Sequence, residues 1–418
     1  MSLSTADHWA PFCGQCCHEV ASCLCVTLSG CLQGQGDQRM ILSLRDNLAQ
    51  KALNIMQKIA DNSSTHQRSL RTLLLRLAKA SDKLPTSLFL KGVVLSDSPH
   101  PDLIAGGFAD IHIGKYQEQE VALKAIRVFS KMSEKRRHEI RQRLYYEALL
   151  WRNVSHIHIL PFLGLCNAAC SQGPCMISEY MPYGHVRYRS EHLLRHYQRE
   201  DLYFHRYIYK WIYEIALGLE YLHEEGISHG DLRGPNILID DRRSVRLADF
   251  GLSVFAESNS RENGSTRGGN ERWMAPEQIV AQDSDKECER PTFSSDIFSL
   301  ACVCVEMYTA REPYHGMNFW QVLNGVPRGV RPASICYVDG VKVTLPAELT
   351  ALTQKCWVSQ PIDRPKVGDI VNYMAGLQIP WVSTPLSECW PMPGDDEEDD
   401  NELSDYIDMM EVDRLLGV

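Results

Sequence analysis

The chain has 418 residues, with 43 lysines and arginines against 53 acids, a formal charge of −10, and 44% hydrophobic and 23% charged residues. That length exceeds one small core, and the ordinary composition excludes a collagen-like, low-complexity or wholly disordered chain. No uninterrupted apolar run reaches the ~18 residues of a membrane helix, and the longest, around 297–309, is interrupted by Glu306.

Residues 1–37 hold Cys13, Cys16, Cys17, Cys23, Cys25 and Cys31, with His8 and His18. The Cys13-x2-Cys16 spacing suits zinc, but no second pair completes a module. A thiol-rich disordered lead, a zinc site and reversible acylation all stay open as readings. The fifteen cysteines are odd in number and scattered, which reads as reduced thiols of a cytoplasmic or nuclear protein. The first basic residue is Arg39, which argues against a secretory signal or an arginine-rich presequence. Apolar periodicity predicts two amphipathic helices over 39–60 and 66–81, within a helical extension spanning 38–95. Leu70, Leu73, Leu74 and Leu77 mark the core-facing stripe of the second. Pro85 ends the pattern, and Leu88-Phe89-Leu90 is expected to anchor the extension to the domain downstream of it.

Next comes Ile104-Ala105-Gly106-Gly107-Phe108-Ala109-Asp110-Ile111, a glycine turn, and then Val121-Ala122-Leu123-Lys124, a short apolar strand ending in an amine. Residues 133–153 contain neither glycine nor proline and predict a helix. It carries a basic cluster (Lys135, Arg136, Arg137, Arg141, Arg143), read as a solvated face, followed by Tyr146-Glu147-Ala148-Leu149-Leu150. Ile237-Leu238-Ile239 and Val245-Arg246-Leu247-Ala248 predict two strands joined by the polar turn from Asp240 to Ser244.

That hairpin lies between His229-Gly230-Asp231-Leu232-Arg233-Gly234-Pro235-Asn236 and Asp249-Phe250-Gly251. The chain doubles back, so Asp249 returns close to Asn236. Two oxygen ligands there suit Mg2+, a hard cation that takes one or two carboxylates plus substrate phosphates. Asp231, one short loop away, can receive a proton. This is the layout that phosphoryl transfer requires. Downstream stand Arg272-Trp273-Met274-Ala275-Pro276-Glu277, an apolar helix opening at Ser295-Asp296-Ile297-Phe298, and Asp363-Arg364-Pro365. Eleven of the 53 acids and one of the 43 bases lie beyond Pro393, leaving 42 of each in the body. The segment 381–418 is therefore expected to be an acidic, disordered tail, with an acidic amphipathic helix through Leu403, Ile407, Met410 and Leu415 as the other reading. Neither sign pattern suggests nucleic-acid binding.

On these motifs, residues 96–380 resemble the eukaryotic protein kinase superfamily, whose catalytic loop reads H-R-D-L-x-x-x-N and whose metal motif is D-F-G. The resemblance implies an α+β, two-lobed fold. A small antiparallel-sheet lobe with one helix would span roughly 96–180, and a larger, mainly helical lobe would extend from there to about 380, with ATP between them. It also implies roles. Asp231 would orient the substrate hydroxyl and accept its proton, and Asn236 and Asp249 would hold Mg2+. Lys124 would pair with the α- and β-phosphates, with Glu147, in preference to Glu139, as its ion partner. Arg233, two residues after Asp231, would be a further catalytic residue. Gly106, Gly107, Phe108, Ile111, Ala122, Ser178, Glu179 and Met181 would contact the nucleotide, with Ser178 gating the back of its pocket. Asp296 would accept hydrogen bonds from the catalytic-loop backbone, and Arg364 would pair with Glu277.

Three departures from the family pattern carry expectations. Ile104 and Ala109 replace the outer glycines of the phosphate loop, which predicts a less intimate lid. Gly230 replaces the arginine that usually grips an activation-loop phosphate. Arg233 and Asn270 replace the lysine and threonine usual in serine/threonine kinases. The tyrosine-kinase-like group fits best, and G-G-F-A-D, H-G-D-L and R-W-M-A-P-E look like the large kinase sets of mushroom-forming fungi. The expected function is transfer of the γ-phosphate of MgATP to a protein substrate in signalling, on serine or threonine in preference to tyrosine. No nucleic acid and no membrane span are expected. The alternative is a pseudokinase scaffold, supported by the altered glycine loop and the cysteine-rich and acidic ends.

Overall fold

The computed structural model describes residues 38–62, 67–96, 109–126, 133–167, 174–197, 202–250, 271–283, 291–333, 335–338 and 341–377. The cysteine-rich lead, Gly106, Gly107, Phe108, Asn270 and the acidic tail lie outside them. The described residues fall into two compact units, one lying within the stretches 1–97, 108–155 and 161–179, the other within 98–107, 156–160 and 180–418.

The first unit begins with helices α1 (Gln38–Leu42), α2 (Asp46–Asn62) and α3 (Gln67–Ser81). The single helix expected over 39–60 is thus two. Ser43 Oγ donates to Met40 O at 2.8 Å, and the Arg45 guanidinium donates to Leu42 O and Leu44 O, so the last carbonyls of α1 are capped. Asp46, the first residue of α2, has φ +47°, so a right-handed helix cannot run continuously from α1 into α2. Ala49, Leu53, Met56 and Ile59 of α2 and Leu70, Leu73, Leu74 and Leu77 of α3 are buried, and the two helices pack together.

Strands β1 (Val94–Leu95), β2 (Ala109–Tyr116) and β3 (Gln119–Ile126) come next, then helix α4 (Glu134–Arg152), whose N-cap Ser133 accepts from the Arg136 N–H. With β4 (Phe162–Cys166) and β5 (Cys175–Glu179) they complete an antiparallel sheet of order β1-β2-β3-β5-β4. Alternation along β3 sends Val121, Leu123 and Ala125 into a core with Cys166, Cys175 and Ile177, over which Leu90 and Val93 pack. The lead-in is tied to β4 by Leu90 N–H donating to Leu165 O at 2.8 Å. A Cβ at Gly164 would lie 2.6 Å from Leu88 O, so only glycine lets the lead-in pass this closely. Helices α1 to α3 therefore belong to the same compact unit as the sheet.

The second unit is mainly helical. It contains α5 (Val186–His196), α6 (Leu202–Glu224), the hairpin β6 (Ile237–Ile239) and β7 (Val245–Leu247), α7 (Pro276–Asp283), α8 (Phe293–Thr309) and α9 (Phe319–Gly325). A second hairpin, β8 (Ile335–Val338) and β9 (Val341–Thr344), precedes α10 (Ala347–Cys356) and α11 (Val367–Gly376). Every residue of α8 from Ser295 to Thr309 is buried, as befits a helix apolar on all sides, and a Thr292/Ser295 capping box starts it. Helix α6 packs against α8 and α11 and buries Trp211, Ile212, Ile215, Leu219 and Leu222. Among the described residues, no helix is long and apolar enough to cross a membrane.

Candidate active site

In the first unit, strand register decides which side chains share a face. Lys124 lies opposite Ile111 and Met176, and Ala122 lies opposite Ile113 and Ser178. Directly opposed residues point the same way. Ile111, Ala122, Lys124 and Ser178 therefore line one face of the sheet, the one turned away from the Val121–Leu123 core. Glu147 stands in the buried stripe of α4 and is 3% exposed. Its Oε1 lies 3.4 Å from Lys124 Nζ. Glu139 instead pairs with Arg136 at 3.2 Å on a more exposed side of the helix. Glu179 is exposed at the end of β5, opposite Val121. Met181, in the second unit, is buried, and its carbonyl accepts from the Gly184 N–H at 3.1 Å.

In the second unit, the loop before β6 is held from below by Asp296 at the start of α8. Its Oδ2 accepts from His229 N–H and its Oδ1 from Gly230 N–H, both at 2.8 Å, while His223 Nε2 lies 2.9 Å from Oδ2. Gly230 has φ +78°, where a side chain would cost roughly 1–2 kcal/mol. The glycine thus has a conformational reason that the motif comparison alone did not reveal. Asp231 is gripped on one oxygen, Oδ2 accepting from Asn236 Nδ2 at 2.9 Å and from Arg233 Nε at 3.3 Å. Asn236 Nδ2 also reaches Asp231 O at 2.8 Å.

The hairpin turn is fixed by Asp240, whose Oδ1 accepts from Arg242 and Ser244 N–H and whose Oδ2 accepts from Arg246. Pairing of Ile237 with Leu247 sets the register, and Ala248 N–H donates to Asn236 O at 2.9 Å. Asp249 is the next residue. Its φ of +57° is a strained value for aspartate, of the kind that collects at functional sites. Phe250 is buried, with its ring 6.3 Å from that of His229. Burial lowers the His229 pKa, against the opposing pull of Asp296, Asp231 and Asp249. The imidazole is accordingly neutral, with Nδ1 accepting from the Asp231 N–H.

The donor set fits Mg2+. Because the Asn236 amide nitrogen is engaged by Asp231, its oxygen is left to act as a hard donor, and the Asp249 side chain brings carboxylate oxygens of the same kind. Among the described residues, no group of three or more His, Cys, Asp or Glu forms a closed metal cage. A cation here must complete its shell with water and substrate oxygens.

One residue of this region escaped the sequence reading. Glu306, fully buried on α8, accepts at Oε2 from Gly234 N–H at 2.9 Å and Trp273 Nε1 at 2.8 Å, with Arg187 Nη1 3.7 Å from Oε1. Burial raises its pKa to about 7, against the opposing effects of Arg187 and the two donors. An acid inside an otherwise apolar helix was the available signal. Arg364, meanwhile, forms a bidentate pair with Glu277, both bonds 2.7 Å, and its side chain is wholly buried.

Comparison of the sequence with known proteins identifies relatives. Residues 100–374 match the family described as protein tyrosine and serine/threonine kinase. Over 275 residues the chain is 30% identical to the serine/threonine-protein kinase STY17 of Arabidopsis thaliana, covering 65% of this chain and 43% of the plant protein. It is 31% identical over 271 residues to the serine/threonine/tyrosine-protein kinase HT1 of the same plant, covering 64% and 63%. The dual specificity protein kinase pyk3 of Dictyostelium discoideum is 26% identical over 306 residues, covering 73% and 20%. The chain thus spans less than two thirds of the length of each of these relatives.

Proposed function

The chain belongs to the protein tyrosine and serine/threonine kinase family, and from this premise we propose that it is an ATP-dependent protein kinase of the tyrosine-kinase-like group. It transfers the γ-phosphoryl group of MgATP to a protein hydroxyl, serine or threonine in preference to tyrosine, in a cytoplasmic or nuclear signalling role. The motifs G-G-F-A-D, H-G-D-L and R-W-M-A-P-E support placing it with the expanded sets of mushroom-forming fungi.

The observation that carries the reading is the hairpin closure, Ala248 N–H to Asn236 O at 2.9 Å, which sets Asp249 beside an Asn236 already bonded to Asp231. In the reaction, the substrate oxygen bonds to the γ-phosphorus as the bond to the bridging oxygen of ADP breaks. The hydroxyl proton passes to Asp231. Arg233, 3.3 Å from Asp231, supplies positive charge near the transferred group. Lys124, steadied by Glu147, pairs with the α- and β-phosphates. Ile111, Ala122 and Ser178 offer the sheet face to the base, and the kinase resemblance assigns Glu179, Met181, Gly106, Gly107 and Phe108 to the nucleotide as well. Asn236 and Asp249 would hold Mg2+, which when bound would supply charge neutralisation. Positioning and electrostatics carry the rate, with no covalent intermediate.

Melting of the purified chain with and without MgATP tests nucleotide binding, since a ligand at about 100 times its Kd adds roughly 2.7 kcal/mol. No shift at millimolar MgATP contradicts the reading. Phosphoamino-acid analysis of the labelled product then tests the acceptor, with phosphoserine or phosphothreonine expected and phosphotyrosine alone refuting that preference.

A further inference from the structure

We propose that α2, α3 and Asp82, the residue after α3, form a built-in brace on α4 that positions Glu147 for Lys124. Gln57, Asp61 and Asp82 act as its positioning residues. The functional consequence rests on the kinase reading.

The brace holds α4 at two places. At its C-terminal end, Gln57 and Asn153 form a reciprocal amide pair, each side-chain nitrogen donating to the other's oxygen at 3.1 Å, and Gln57 is fully buried. Beside it Arg71 donates to Asn153 O at 3.4 Å and Asp61 pairs with Arg152 at 2.9 Å. Nearer the middle of the helix, Asp82 accepts from Arg141 and Gln142, each at 3.2 Å, with His138 at 3.6 Å. Glu147 lies five residues after Gln142 and five before Arg152, so it is centred between the clamps. On a helix rising 1.5 Å per residue, the clamps at Gln142 and Arg152 stand about 15 Å apart. Two anchors that far apart fix both the tilt and the rotation of a rigid rod. The helix also packs on β4 near its C-terminal end, where Trp151 stacks on Phe162, so the Asp82 clamp is the one that holds the part before Glu147 to the brace.

The Lys124–Glu147 pair has little slack, because at 3.4 Å it is already at the outer reach of a hydrogen bond. Any outward swing of α4 breaks it. The amide pair is part-buried; removing the Gln57 amide takes the donor from Asn153 Oδ1, while Asn153 Nδ2 keeps its bond to Leu149 O at 2.8 Å, and the helix end loses its seat on α2. Asp61 and Asp82 are more exposed and act mainly through geometry, by holding Arg152 and Arg141 in register.

The test is a double-mutant cycle in the full chain. Gln57→Met keeps the side-chain length and removes the amide. It is expected to lower kcat/KM for protein phosphorylation by about tenfold, the order of loss expected for a small misplacement of a catalytic group. In a Glu147→Gln background the same substitution should change the residual activity by less than twofold. An equal loss in both backgrounds, as general destabilisation would give, overturns the proposal, and so does no loss in either. If Gln57→Met does not fold, Asp82→Gly takes its place in the same cycle, because Asp82 sits at φ +52°, where glycine is at ease. Hydrogen exchange separates this idea from the kinase reading. If the wild type transfers no phosphate, that reading fails. The brace is still supported if amides 134–152 exchange faster in the variant while those of α8 do not, and it is overturned if 134–152 are unchanged.

Discussion

Replacing Glu306 by glutamine should change how stability depends on pH. The carboxyl is fully buried, and its pKa is raised from 4.5 to about 7, chiefly by burial. Linkage converts that difference into roughly 3 kcal/mol. Below about pH 4.5 the proton is bound in both folded and unfolded chains, and the favourable contribution of the neutral acid is fully present. As the pH rises through 7, the folded chain must ionise a buried group, and the contribution is lost. Glutamine keeps an oxygen for Gly234 N–H and Trp273 Nε1 but cannot ionise, so its own effect is a constant offset. Urea denaturation of both proteins at pH 5, 6, 7 and 8 isolates the carboxyl, because all other titrating groups cancel in the difference. Wild type should lose ground to Glu306→Gln by up to about 1.4 kcal/mol per pH unit within this window. A difference that stays flat from pH 5 to 8 would refute the reasoning.

Two further substitutions probe the supports of the site. Arg364→Ala strands the Glu277 carboxylate and frees the carbonyls of Ser294 and Val358, to which the guanidinium also donates. Its cost should be about 3–5 kcal/mol, lowering the melting temperature by roughly 10 °C, and a shift within 2 °C would mean the pair is not needed. Gly230→Ala places a side chain at φ +78° and should cost roughly 1–2 kcal/mol in thermal unfolding, whereas a neutral result would deny the strain.

Much of the site was legible because its chemistry sits in contiguous motifs. The strand-turn-strand from Ile237 to Leu247 announces itself by two apolar triplets around a polar turn, and the return of Asp249 to Asn236 follows from that register alone. Glu147 was separable from Glu139 because it stands among apolar residues, and burial follows hydrophobic neighbours. The break between α1 and α2 was not legible, since Ser43 and Arg45 stop the helix through side-chain bonds that leave little mark on apolar periodicity. Nor was the brace. Gln57, Asp61 and Asp82 are polar residues without a motif, and their partners lie 96, 91 and 59 positions away along the chain, a pairing that only tertiary structure reveals. Gly230 illustrates a third case. The motif showed that an arginine was absent, while only the backbone angle showed what glycine supplies instead.

Phosphate transfer from labelled MgATP to a generic protein acceptor, by wild type and by Asp231→Asn, tests the central claim most directly. Asparagine preserves the size of the side chain and an oxygen for Arg233, but it cannot take the hydroxyl proton. The account predicts transfer by the wild type and a fall of about a hundredfold or more in the variant, with the melting shift caused by MgATP retained. Equal labelling by the two proteins would contradict it.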